Sequence, residues 1–131
     1  MMRFRLLLAC VPLAWTGGCA RAPRGPVPFA PAPAEKPAVR MMRSDLRNLA
    51  TAQGAFYGDH KAYVERVADF PFEFSPSGPV TLRIVAAGPA GWAAVATHKA
   101  LPGVECRAVV GDPPPAAGLR ARDDGTCVRR R

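Results

Sequence analysis

The chain has 131 residues, a formal net charge of +8, 15 prolines and four cysteines. That length allows one domain at most. The positive excess is gathered at Arg3 and Arg5, Arg21 and Arg24, and Arg129, Arg130 and Arg131, leaving the segment between close to balanced, so charge alone does not mark a nucleic-acid binder.

Met1 to Arg5 carries two arginines, Leu6 to Trp15 is almost wholly apolar, and Thr16-Gly17-Gly18 is small up to Cys19, the three-part pattern of a secretory signal. The apolar run is too short for a permanent membrane span. Small residues before a cysteine resemble a lipobox, with Thr16 where leucine is usual. That resemblance implies a signal over residues 1–18 and lipidation of Cys19, which would hold the protein on a bacterial membrane; two or three acyl chains grip a bilayer firmly where one does not. Ala20 after the cysteine favours the outer membrane by the same likeness. An ordinary cleaved signal is the alternative. Either one exports the chain to an oxidising compartment where a disulfide can persist, and Cys10 leaves with the signal.

Residues 19–37 contain Pro23, Pro26, Pro28, Pro31, Pro33 and Pro37, a composition that favours extended polyproline structure and predicts a spacer. At about 3 Å per residue it would hold a domain on the order of 50 Å from the lipid. Beyond it, Val39, Met42, Leu46, Leu49, Gln53 and Phe56 recur at spacings of three and four, which predicts an amphipathic helix from Ala38 to Tyr57. Pro37 suits its first turn, Arg40, Arg43, Asp45, Arg47 and Asn48 are expected to face water, and Gly58-Asp59 supplies a stop.

Phe70, Phe72 and Phe74 alternate along DFPFEFSPS, predicting an edge segment blunted by Pro71 and Pro76. Val80 to Ala86 and Gly91 to His98 alternate on either side of Gly88-Pro89 and predict a hairpin. A third strand, Val104 to Val110, follows the turn at Leu101-Pro102-Gly103 and ends at Gly111-Asp112 and Pro113-Pro114-Pro115. The sheet is expected to be an antiparallel meander.

The segment SDLRNLATAQGAFYGDHKAY, Ser44 to Tyr63, followed by GWAAVATHKALPGVECRAVVGD, resembles the soluble part of type IV pilins and pseudopilins from about Met41 to Cys127. What that resemblance implies is an α+β fold: one helix packed on a three- to four-stranded antiparallel sheet, over residues 38–128, with a carboxyl-terminal loop closed by a Cys106–Cys127 disulfide. A pilin's long apolar membrane helix and its prepilin peptidase motif have no counterpart in Met1 to Trp15, so a major fibre subunit is not expected.

His60 and His98 lack nearby cysteine or carboxylate ligands at metal-binding spacing and read as a turn residue and a strand-end residue. Cys106 and Cys127 have no CxxC spacing. Asp112, Asp123 and Asp124 fall beside the closing loop, where some pseudopilins hold calcium, but EF-hand spacing is absent and Asp-Asp-Gly is common in turns. Trp92 reads as core. Nothing resembles a nucleophile elbow, a phosphate loop or a catalytic carboxylate pair. No catalytic residue, cofactor or metal is therefore predicted. The functional expectation is a non-enzymatic, exported, lipid-anchored interaction module, accessory to a type IV pilus or type II secretion system. The alternative is a binding module for a polyanion, DNA or a cell-envelope polymer, acting through a solvated basic tail at 129–131.

Overall fold

The computed structural model describes residues 25–115 and 118–130, so the signal, Cys19 and Arg131 lie outside the described residues. Among these, one helix lies on a five-stranded antiparallel sheet of order β1-β5-β4-β3-β2, one strand more than the largest number expected. The strands are β1 (Val27–Pro28), β2 (Val80–Gly88), β3 (Gly91–His98), β4 (Val104–Gly111) and β5 (Cys127–Arg129), and the helix is α1 (Lys36–His60).

Helix α1 extends beyond both expected ends. Gly58 and Asp59 sit inside its last turn rather than stopping it, and Lys61, at φ 55°, ends it by donating its N–H to the Tyr57 carbonyl. A left-handed residue just past the last turn satisfies a carbonyl that has no helical partner, which is what terminates a helix. The apolar stripe is buried as its spacing requires: Val39, Met42, Leu46 and Leu49 are under 5 % exposed. They pack on Val80, Leu82, Trp92, Ala94, Ala96, Val104 and Cys106 from one face of the sheet. Small alanines at the centre of β3 let the helix approach, and Trp92, 1 % exposed, fills one end of the interface.

The long hairpin forms as predicted, with one irregularity. Ile84 pairs Ala94 while Ala86 pairs Ala93, so Val85 is an extra residue in β2. Such a bulge reverses the alternation. Ala86 thereby joins Ala93, Val95, Val109 and Leu119 in a second, smaller apolar cluster on the sheet face away from α1.

Where β3 begins and β4 ends, Gly91 lies directly opposite Gly111. A Cβ on Gly91 would meet the Val110 carbonyl oxygen at 2.2 Å, and Gly111 holds φ +67° with the Ala90 carbonyl oxygen equally close. Two backbones touch here, so neither position admits a side chain without moving main chain.

The two unforeseen strands flank the disulfide. β5 pairs with β4, and β1 pairs with β5 at Val27↔Arg129 and Pro28↔Val128. Residues 27 and 28 belong to the stretch expected to be a spacer; Phe29 continues the docking, donating its N–H to the Cys127 carbonyl at 2.9 Å and packing against the core. Pro28 is tolerated because β1 is an edge strand and the missing donor faces outward. The segment around Phe70, Phe72 and Phe74 forms no strand. It is an irregular loop with a 3-10 turn at Val67–Asp69 and an aromatic cluster in which Phe70 is buried and meets Phe72 at 5.0 Å and Phe74 at 5.5 Å.

Candidate functional site

Cys106 and Cys127 are bonded, with a Cα–Cα distance of 4.0 Å, and face each other across the β4–β5 ladder. Both sulfurs are buried in the core beneath α1, so the bond is structural and closes the loop that precedes β5. Cys19, the lipidation residue expected from the sequence, is not among the described residues.

Of the arginines expected to form a solvated tail, Arg129 and Arg130 are described; both are exposed and both make contacts. Arg129 ends β5, its Nη2 donates to Glu35 Oε1 at 3.4 Å, and its guanidinium lies 4.8 Å from the centre of the Phe29 ring. Arg130 donates its backbone N–H to the Gly103 carbonyl at 2.8 Å, and its side chain pairs with Glu105. Glu105 is 3 % exposed and receives Arg107 as well, from Nε at 3.1 Å and Nη2 at 2.9 Å. A buried carboxylate is tolerable only with such compensation. Arg107 also reaches Asp123, so two guanidinium groups are matched by two carboxylates, and the cluster borders a cavity of about 280 Å³ that is lined by Thr81, Arg83, Val95, Thr97 and Arg130.

The aspartates considered for calcium are directed to the main chain. Asp124 Oδ1 accepts from Val109 N at 2.9 Å, Asp123 Oδ2 accepts from Arg120 N at 2.8 Å, and Asp123 Oδ1 lies 3.9 Å from Arg107 Nη1. Asp112 is exposed at the end of β4. Among the described residues, no three His, Cys, Asp or Glu side chains converge. His60 closes α1, stacked on Phe56 at 4.0 Å with Nδ1 3.0 Å from the Phe56 carbonyl; His98 ends β3, its Nδ1 accepting from Ala100 N at 3.1 Å.

Two buried polar side chains hold roles that the sequence pattern does not reveal. Asp45, expected to face water, is 4 % exposed and accepts from Ser77 N at 2.8 Å and Ser77 Oγ at 3.0 Å. Gln53 sits on the apolar stripe but is wholly buried, donating Nε2 to the Val64 carbonyl and accepting Val64 N at Oε1, both at 2.9 Å. Both fasten the loop after α1. In that loop Arg66 binds Asp69 through two 2.9 Å contacts, and the hydrogen bond to Asp69 pushes the guanidinium pKa further up.

The outer surface of α1 carries a different pattern. Lys36, Arg40, Arg43 and Arg47 are all exposed and follow one another at spacings of four, three and four residues, which aligns them on one flank of the helix. Asp45 points away, into its contact with Ser77, and Glu35 is held by Arg129. No helix among the described residues is long and apolar enough to cross a membrane.

Comparison with family models, curated proteins and solved structures returns no match to this chain.

Proposed function

We propose that the protein is an exported, lipid-anchored interaction module with a pilin-like head, serving a type IV pilus or type II secretion machine as an accessory component rather than as a catalyst. The observation that carries this reading is the order of parts: one amphipathic helix, a long hairpin, a third strand, and a loop returned to that strand by Cys106–Cys127. It follows the order of the segments that resemble pilins. A fold hosts many uses, so the function rests on the combination of that order with the lipobox-like residues before Cys19.

Mass spectrometry of the mature protein tests the anchor: an acylated amino-terminal Cys19 is expected, and an unmodified Cys19 in a product still carrying residues 1–18 defeats it. Co-purification with pilus or secretion components, and loss of twitching or secretion on deletion, test the partner. The polyanion alternative predicts salt-sensitive retention on heparin that is abolished by truncating Arg129 to Arg131.

A further inference from the structure

We infer that the α1–β5 flank is a docking surface for an anionic phospholipid bilayer, so that the head lies against the membrane instead of standing away from it. The inference deepens the proposed lipid anchor and rests on it for one of its arguments. The other argument is the charge of the flank itself.

The position of β1 supplies the first argument. A spacer running freely to residue 37 would give the head a reach on the order of 50 Å, but Val27 and Pro28 are already paired into the sheet. Gly25 follows Cys19 by so few positions that the chain between them spans at most about 22 Å. The chain therefore enters the fold close to its anchoring residue, along the edge where β1 borders β5.

The row Lys36, Arg40, Arg43 and Arg47 supplies the second. It runs about 16 Å along α1, and none of the four makes an ion pair among the described residues. Its location is fixed by neighbours: Arg43 and Arg47, with Leu46, Ala50, Arg107 and Gly125, rim an apolar recess of about 250 Å³ between the helix and β4. At the start of the row, Glu35 meets Arg129 of β5, and Arg129 covers Phe29 just after β1. The row and the point of entry thus share one side of the molecule. Basic side chains within a Debye length of anionic headgroups each add affinity, and a polar row beside a shallow apolar recess suits a headgroup layer rather than the hydrocarbon.

Protein of residues 19–131 carrying Cys19→Ser lacks both the signal and the acyl chains, and its binding is read by sedimentation with phosphatidylcholine vesicles with or without phosphatidylglycerol. Added phosphatidylglycerol is expected to raise partitioning, and raised salt to reverse it. The triple variant R40Q/R43Q/R47Q is expected to lose on the order of a hundredfold in that increment, about fivefold per arginine, while R66Q, in the loop beside β2, leaves it intact. All three substituted side chains are exposed, and an unchanged melting curve verifies the fold. Partitioning indifferent to phosphatidylglycerol or to the triple substitution overturns the inference. So does tighter, equally arginine-dependent retention on duplex DNA, which would assign the row to nucleic acid. The mass of Cys19 in the exported wild-type protein is read separately: an unmodified thiol removes the anchor, whereas vesicle indifference removes the flank, so the two failures are distinguishable.

Discussion

The chain leaves its core twice and is brought back by different means. After α1, residues 61–79 form an irregular loop that buries Val64 and Phe70 and packs Tyr63, Val67 and Phe74 against the main core. After β4, residues 112–126 bury only Leu119 among the described residues, in the smaller cluster. The first loop has enough apolar surface to hold itself down, and hydrogen bonds with Gln53 and to the Asp45 carboxylate fix its position. The second has little to bury, and a covalent bond at its end joins the hydrogen bonds that Asp124, Gly125 and Thr126 make with β4. Apolar content decides which kind of fastening a loop needs, because each ordered residue costs conformational entropy that burial must offset.

The contrast predicts a hierarchy of effects. Replacing both half-cystines, Cys106→Ser with Cys127→Ser, is expected to cost about 3 kcal/mol for a loop of this length, measured by urea unfolding; hydrogen exchange should rise first in β5 and β1 and leave the β2–β3 hairpin protected. Equal exchange across the sheet would show that the bond stabilises the domain uniformly and erase the contrast. Gln53→Leu keeps the bulk but leaves the Val64 N–H and carbonyl without partners, at a cost of about 2 kcal/mol, and should loosen residues 61–79 with the disulfide loop unaffected. Asp45→Ala removes two bonds to one residue, Ser77, near the more exposed end of the same loop, and about 1.5 kcal/mol is expected in thermal unfolding. The smallest effect has the opposite sign: Gly54 is exposed in α1, and nothing lies within 4 Å of the place an alanine methyl would occupy, so Gly54→Ala should stabilise by about 1 kcal/mol without changing exchange in either loop.

What was legible in the sequence follows the same physics. The stripe from Val39 to Phe56 fixes the helix and its buried face, and the alternation of β2, β3 and β4 fixes element type, while β3 is buried on both faces. β1 and β5 were not legible, since strands of two and three residues display no period and Pro28 argues against a ladder wherever its edge position is unknown. The phenylalanines at 70, 72 and 74 have the period of a strand, yet Pro71 and Pro76 deny it donors, and mutual aromatic packing takes its place. Asp45 lies one position before the stripe residue Leu46, so its direction depends on Ser77, 32 residues away. Gln53 falls on the correct face by its spacing, but its bonds to Val64 become visible only once the chain has turned back. At the site level, the bonding of Cys106 to Cys127 agrees with what the pilin resemblance implied. The engagement of Arg129 and Arg130 depends on Glu35 and Glu105, which no local pattern links to them.

The pairing of Val27 with Arg129 joins positions from opposite limits of the described chain. A polypeptide made from its amino end must therefore keep β1 waiting until β5 has been synthesised, with Phe29 and the apolar side of α1 uncovered in the interval. Contacts so distant in sequence slow the final closure, and the partly assembled hairpin offers its open margins to other chains meanwhile. A holding factor that shields this intermediate would matter more to yield than to the stability of the finished domain.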